Sequence, residues 1–273
     1  MASAMSRLQF FKVRSSHLRR FVSHYWTLKT VCGSPESLLL PMDHIDLILA
    51  PEGTFHYYLT DEMVRSQDVH FHGIRRKSTG VLVSREAQVW GISFQPWGFQ
   101  PVVGTFMNTF VDHIVDLADY NAELAQGLKA LAARIDAGEA LLDELEEVLA
   151  RALNADTGET GAMQLVRDFI EANPDDLRLY CDQAGVSMRQ MQRLFSQYVG
   201  VSPKGYQKIK QFEACSRELL YGKDENPLTS VGIDSGYYDQ SHFIRCFREF
   251  TSFAPGRFRG ERPAVKSDLF KKK

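Results

Sequence analysis

The hydrophobic pattern changes period near residue 120. Before that point the chain carries short runs rich in β-branched and aromatic residues, at 21–28 (FVSHYWTL), 45–49, 54–59, 69–71, 79–83 and 89–94 (VWGISF). Pro, Gly, Asp and Ser punctuate them at intervals of about 8–12 residues, the spacing of a β-sandwich or barrel. One run is ambiguous: Leu18, Phe21, Val22 and Tyr25 also fall at helical spacing, so residues 21–26 could begin as a helix. Residues 95–104 (QPWGFQPVVG) hold two prolines and two glycines and read as irregular.

From 121 to 154 the period is helical. Leu124, Leu128, Leu131 and Ile135 form one stripe, and Leu141, Leu142, Leu145, Val148, Leu149 and Leu153 form a second. Residues 136–138 (DAG) mark the break between them. The pair reads as helices packed on the β-rich part, with the second stripe wide enough to serve a dimer seam as well. Residues 156–161 (DTGETG) are polar and glycine-containing, the best linker candidate in the chain. Helical periods then continue over 162–172, 177–184, 187–198, 203–221, 228–235 and 239–250, with a short turn from Pro255 and a basic tail at 261–273. The expected class is α+β, in four spans. A β-barrel or cupin-like domain with its helical pair occupies 1–155, a linker 156–161, an all-α domain 162–260 and the tail 261–273.

Two of the helical segments are alike. Ser187 with Gln190 reads as a capping box at the start of SMRQMQRLF. Met191, Leu194, Phe195 and Tyr198 share the inward face, which turns Arg189, Gln192, Arg193 and Ser196 outward. In the segment opened by Asp239, Phe243, Phe247 and Phe250 point inward; Gln240, Ser241, His242, Arg245 and Arg248 point outward. Either helix alone is most simply a solvated charged face. The flanks change that reading. Tyr198–x₄–Pro203–x₂–Tyr206 recurs as Phe250–x₄–Pro255–x₂–Phe258, 52 residues later at each landmark. Each copy also follows a short helix ending in glycine, Gly185 or Gly236. This is a duplicated helix-turn-helix, whose second helix can enter a DNA groove, and Arg and Gln have the donor geometry that reads base edges there.

Composition adds modest constraints. The 273 residues are 44% apolar and 24% charged, ordinary values for a globular chain with cores in both halves. No 18-residue apolar run is present, so no membrane span is expected, and the start of the chain lacks the apolar run of a signal peptide. Cys32, Cys181, Cys215 and Cys246 are widely spaced, which suits reduced thiols in a cytoplasmic protein. The net charge of −2 conceals an asymmetry: basic residues exceed acidic ones from residue 160 onward, and the reverse holds before it. A basic C-terminal part suits a polyanionic partner.

These motifs resemble the C-terminal DNA-binding domain of the AraC/XylS transcription regulators. The matching pieces are GVSMRQMQRLF, GVSPKGY, the ELL that ends a long helix at 218–220, GYYDQSHFIRCF and APGRFR. The resemblance implies two helix-turn-helix units joined by the helix over 203–221, reading successive major-groove segments of double-stranded DNA. It implies base contacts from Arg189, Gln192 and Arg193 in the first unit, and from Gln240, Ser241, His242 and Arg245 in the second. Ser187, Lys204 and Arg248 would meet phosphates. It further implies a small-molecule effector, a homodimer and, in the family's more frequent activating mode, contact with RNA polymerase. No cofactor is implied. The chain departs from the family pattern in four places. Cys181 and Gly232 replace small alanines, Gln211 replaces a frequent arginine, and Ser252 replaces a turn glycine. With the glycine kept at Gly200 and two arginines near its start, the first helix is expected to carry more of the base specificity. Less specifically, FVSHYWTL, LLLPMDHIDLIL and ISFQPWGFQPVVGTFMNTFVDHIVDL resemble the β-rich sensor domain of a subgroup of these regulators, with an effector pocket expected inside the barrel.

The enzymatic alternative is a cupin-like metal oxygenase. His44, His56, His70 and His72 cluster in the first half, and His70-Phe-His72 on a strand would put two imidazoles on one face. No spacing for a third histidine and a carboxylate follows at 89–94, so satisfied core histidines are the expectation and no metal is assigned. A thiolate-zinc alkyl acceptor is excluded, because Cys32 is the one cysteine before residue 160. Ser-His-Asp, P-loop and Rossmann glycine patterns are absent from the sequence.

Overall fold

The computed structural model describes residues 8–31, 37–59, 62–134, 139–153, 160–223 and 226–261. In the first half these form strands β1 (Leu8–Lys12), β2 (Val22–Lys29), β3 (Ser37–Leu39), β4 (Asp46–Leu49), β5 (Phe55–Tyr58), β6 (Met63–Arg65), β7 (Val69–His72), β8 (Thr79–Val83), β9 (Gln88–Phe94) and β10 (Ile114–Asp116). Helices α1 (Gln100–Val103), α2 (Ala122–Ala132) and α3 (Leu142–Ala152) complete it. The second half is helical: α4 (Gly161–Ala172), α5 (Leu177–Gln183), α6 (Met188–Tyr198), α7 (Pro203–Tyr221), α8 (Leu228–Asp234), α9 (Gln240–Thr251) and α10 (Pro255–Glu261). The expected α+β class holds.

The barrel does not. The strands make two antiparallel sheets, β1-β2-β9-β4-β7-β10 and β3-β8-β5-β6, and among the described residues no strand pairs across from one to the other. The result is an open sandwich. The six-stranded sheet is covered on both faces, so β4 and β7 are buried at every position. Its inner face presents Trp26, Leu28, Ile48 and Val89 to Phe55, Tyr57, Val81 and Val83 of the smaller sheet. Its outer face presents Tyr25, Leu47, Leu49, Phe71, Trp90, Ile92 and Phe94 to the helices. Gly91 is required where Trp26 crosses β9: a Cβ there would lie 1.9 Å from the Trp26 ring.

The helical alternative at 21–26 gives way to strand. Only Leu18–Arg20 makes a helical turn, and β2 is paired on both edges, with β1 and β9. The irregular stretch at 95–104 contains the single turn α1, closed by Gly104 at φ 66°. As expected, α2 and α3 pack on the sandwich: Leu124, Leu128, Leu142, Leu145 and Leu149 share one core with Leu47 and Phe71. Asn121 caps α2 by accepting from the Leu124 amide. The buried Glu146 of α3 accepts from the Arg14 and Ser15 amides and from the Tyr25 hydroxyl, which fastens the approach to β2 onto the helices. The break at 136–138, most of the linker at 156–159 and the tail beyond 261 lie outside the described residues. Thr160 is the N-cap of α4, accepting from the Met163 amide. No helix among the described residues is long and apolar enough to cross a membrane.

Candidate nucleic-acid interface

Helix α6 forms where the sequence places it, because its start is capped and its apolar spacing has a core to enter. Ser187 Oγ accepts from the Gln190 amide at 3.1 Å, and Met191, Leu194, Phe195 and Tyr198 are buried. Helix α9 is built alike. Asp239 accepts from the His242 amide at 2.7 Å, and Phe243, Cys246, Phe247 and Phe250 are buried. The duplication extends to ring packing. Phe195 meets Tyr206 edge-on at 6.1 Å, and Phe247 meets Phe258 edge-on at 5.1 Å. Phe195 and Phe247 are themselves 52 residues apart, as are Tyr206 and Phe258, so the aromatic that ends each copy closes the core of its unit. The linking helix α7 runs 19 residues, about 28 Å at 1.5 Å per residue.

The outward residues divide by exposure. Ser187, Arg189, Gln192 and Arg193 are exposed on and before α6, as are Lys204 on α7 and Gln240, Ser241, Arg245 and Arg248 on α9. His242 differs. It is half-buried, its ring lies edge-on to Tyr237 at 5.7 Å, and its Nδ1 is buried without a partner. Among the described residues, Arg189, Arg193, Lys204, Arg245 and Arg248 make no ion pair with a carboxylate. Several arginines of the first half are neutralised by comparison: Arg14 pairs with Asp143 and Glu139, Arg76 with Asp112 and Arg134 with Glu144. A set of exposed guanidinium groups left unneutralised on two helices is a ready polyanion surface.

One residue of this surface was missed from the sequence. Tyr238 is 89% exposed and sits immediately before the Asp239 cap. The signal was present: two residues separate Gly236 from Asp239, whereas one separates Gly185 from Ser187. The second turn therefore carries an inserted residue, and it is aromatic.

The departures from the family pattern find physical accounts. Gln211 of α7 donates to the Gly236 carbonyl at 3.2 Å, tying the linking helix to the second turn. Gly232 lies under Phe243, where a Cβ would meet ring atoms at 2.9 and 3.0 Å. Ser252 adopts φ 64°, the left-handed cap that its counterpart Gly200 meets at φ 101°. The thiols serve packing. Burial pushes Cys215 up to about 12, and raises Cys181 and Cys246 as well, so none is a poised nucleophile.

Both units are docked on the sandwich at the C-terminal ends of α6 and α9. The Gly200 turn abuts the segment at 107–111: a Cβ on Gly200 would lie 3.0 Å from the Met107 carbonyl oxygen. The Ser78 amide donates to the Phe250 carbonyl at 2.7 Å. On α7 the Tyr206 hydroxyl donates to Asp43 at 3.4 Å. Of the four histidines expected in the core, His70 and His72 are buried, whereas His44 and His56 are half-buried. His70 Nδ1–H donates to the Gln67 carbonyl at 2.9 Å, which leaves Nε2 to accept from the Tyr57 hydroxyl at 2.8 Å. His72 is likewise buried, with Nε2 unpartnered. Among the described residues no group of three or more His, Cys, Asp or Glu is placed to hold a metal ion.

Comparison with known proteins matches residues 180–261 to a family described as a helix-turn-helix domain, and residues 15–116 to a domain of unknown function (DUF6597). The transcriptional activator NphR of Rhodococcus sp. is 30% identical over 157 residues, 56% of this chain and 46% of NphR. An uncharacterized HTH-type transcriptional regulator of Staphylococcus aureus strain MSSA476 is 27% identical over 103 residues, 37% of this chain and 14% of that protein. The chain thus spans less than half the length of these curated relatives. Among solved structures, ToxT from Vibrio cholerae O395 aligns over 94% of this chain and 96% of its own, at 10% identity and a TM-score of 0.44.

Proposed function

We propose that this chain, whose residues 180–261 match a helix-turn-helix domain and whose residues 15–116 match a domain of unknown function, is an effector-responsive transcription regulator of the AraC type that binds a bipartite DNA site. One observation carries the reading: two duplicated, capped helices expose arginines with no carboxylate partner, on a scaffold joined by one continuous helix. The 28 Å length of α7 is comparable to one turn of duplex, about 34 Å, so α6 and α9 can enter successive major-groove segments of one DNA face. Arg189, Gln192 and Arg193 read bases from the first unit. Gln240, Ser241 and Arg245 do so from the second, with His242 in a lesser part because its ring is turned to Tyr237. Ser187, Lys204 and Arg248 hold phosphates. Ser187 can do so while capping, since its hydroxyl accepts from Gln190 and keeps a proton to donate. With more exposed donors at its start, α6 contributes the larger share of specificity. Homodimerisation, contact with RNA polymerase and a cytoplasmic location belong to the same proposal, as the family resemblance implies them.

The test is binding-site selection from random duplex, followed by titration of the selected site and a scrambled one at several salt concentrations. Arg189→Ala and Arg245→Ala should each cost about 1–3 kcal/mol on the selected site and relax preference at one or two base pairs. Lys204→Ala should weaken both duplexes alike and reduce the salt dependence. Equal losses on both duplexes for the arginine variants would reduce them to phosphate anchors. Failure to select any site would overturn the regulator reading.

A further inference from the structure

Between the two sheets lies a small cavity of about 30 Å³, by volume enough for about two water molecules. Its wall is mostly apolar, with Trp26, Leu40, Met42, Phe55 and Val81 among the lining residues. Two polar side chains break that wall, Arg75 and His72, and both are more than nine-tenths buried. Arg75 Nε and Nη1 have no partner, and Nη2 has only the Leu40 carbonyl at a long 3.4 Å. His72 Nε2 is also unpartnered. A guanidinium ion in such a place is costly unless an acceptor meets it. Asp46 is the one acid on the wall; its charge acts on Arg75 across the cavity, but the two are not in ion-pair contact. Its Oδ1 is already taken by donors from Trp26 and Ser93.

We propose that this cavity is the effector site, and that it takes a small aliphatic monocarboxylate whose two oxygens meet Arg75 beside His72 while its carbon end lies against Met42 and Val81. The proposal rests on the effector-responsive reading above and gives it a ligand class. A carboxylate supplies what the cavity leaves open: two acceptors, in the plane that a guanidinium matches, for the unpartnered Nε and Nη1 of Arg75. At about 30 Å³ the cavity favours the smallest acids: formate fits with the least rearrangement, and acetate or propionate requires the flexible Met42 side chain to move aside.

The position also gives the ligand a route to the DNA-binding units. Two of the segments that line the cavity run directly into the seam. Leu40 and Met42 lead to Asp43, which accepts from Tyr206 on the linking helix. His72 and Arg75 lead to Ser78, which donates to Phe250 at the end of α9. A ligand that draws on Arg75 therefore bears on the two stretches of backbone that hold α7 and α9.

The full chain is titrated with sodium formate, acetate, propionate and butyrate, against sodium chloride at matched ionic strength. Thermal melting and saturation-transfer NMR on the C–H protons of the added acids are the readouts. One or more of the three short acids should raise Tm by about 5 °C or more at a hundred times Kd, and should show transfer; butyrate should be weaker. Arg75→Met should weaken binding at least tenfold, and Arg75→Lys, which keeps the charge without the planar fork, should also weaken it. No effect beyond that of chloride would overturn the site, leaving water in the cavity and Arg75 as a structural charge; the wild-type titration alone decides this point if a variant does not fold. Unchanged binding by both variants would overturn the role of Arg75. Specific DNA binding measured on the same samples separates the two claims. Intact DNA recognition without carboxylate binding removes only the site, and carboxylate binding without DNA recognition removes only the regulator.

Discussion

Three positions in left-handed backbone allow the docking of the first unit to be weighed separately from turn strain. Gly185, at φ 68°, ends the first short helix, and a Cβ there meets nothing within 4 Å. Gly200, at φ 101°, closes the first recognition helix, and a Cβ there lies 3.0 Å from the Met107 carbonyl oxygen and 3.3 Å from a Val111 methyl. Ser252, at φ 64°, closes the second with an exposed side chain. Gly185→Ala should therefore show the conformational cost alone, about 1 kcal/mol for an L-residue held left-handed. Gly200→Ala carries that cost plus displacement of a backbone carbonyl that cannot swing away, and should lose about 2–3 kcal/mol. Ser252→Gly relieves the strain with no packing lost, and should gain about 1 kcal/mol. Urea unfolding followed by circular dichroism reads all three. In thermal melts each kcal/mol should move Tm by about 2–4 °C. The double change Gly200→Ala with Ser252→Gly should be additive within about 0.5 kcal/mol, since the sites lie in different units. Equal costs at Gly185 and Gly200 would refute the seam contact as an energetic link. No gain at Ser252 would refute strain in the second turn.

Two further expectations follow from burial. Burial pulls His70 down to about 4 and keeps it neutral, against the opposing effect of its hydrogen bond to the Gln67 carbonyl. Above pH 6.5 neither folded nor unfolded His70 is protonated; between 6.5 and 4 the unfolded chain alone takes the proton, so stability falls as pH drops through that window, by about 3 kcal/mol at its end. Urea midpoints measured from pH 7 to 4 should drop less steeply in His70→Gln, and an unchanged slope would contradict the assignment. Gly232→Ala restores the family's usual residue but drives a methyl to within 3 Å of the Phe243 ring. It should lower stability by about 1 kcal/mol net, after allowing for alanine's better helix propensity, and a gain in Tm would show that the ring has room to shift.

The sequence by itself determined the reader. A helix-turn-helix is local: caps at Ser187 and Asp239, a 3.6-residue period and the 52-residue repeat are all properties of neighbouring residues, and the chain forms α6 and α9 within a residue of the expected bounds. Strands β2, β4, β5, β7, β8 and β9 were legible for the same reason, as β-branched and aromatic runs between turn residues. Tertiary structure decided the rest. Strands β1, β3, β6 and β10 are three to five residues long and exist because a partner edge recruits them, which no local pattern announces. Whether the sheets close into a barrel depends on which edges meet, and among the described residues none do across the sandwich. His70 and His72 were visible as a pair on one face, but only the folded chain shows one satisfied and the other facing a cavity with Arg75. That arginine carried no signal in the run GIRRKS, because its charge became informative only when two sheets buried it without an ion-pair partner. The seam is likewise invisible in one dimension: Asp43 and Tyr206 are 163 residues apart, and Ser78 and Phe250 farther still. Contacts at such separation follow from how whole faces pack, not from the residues on either side of them.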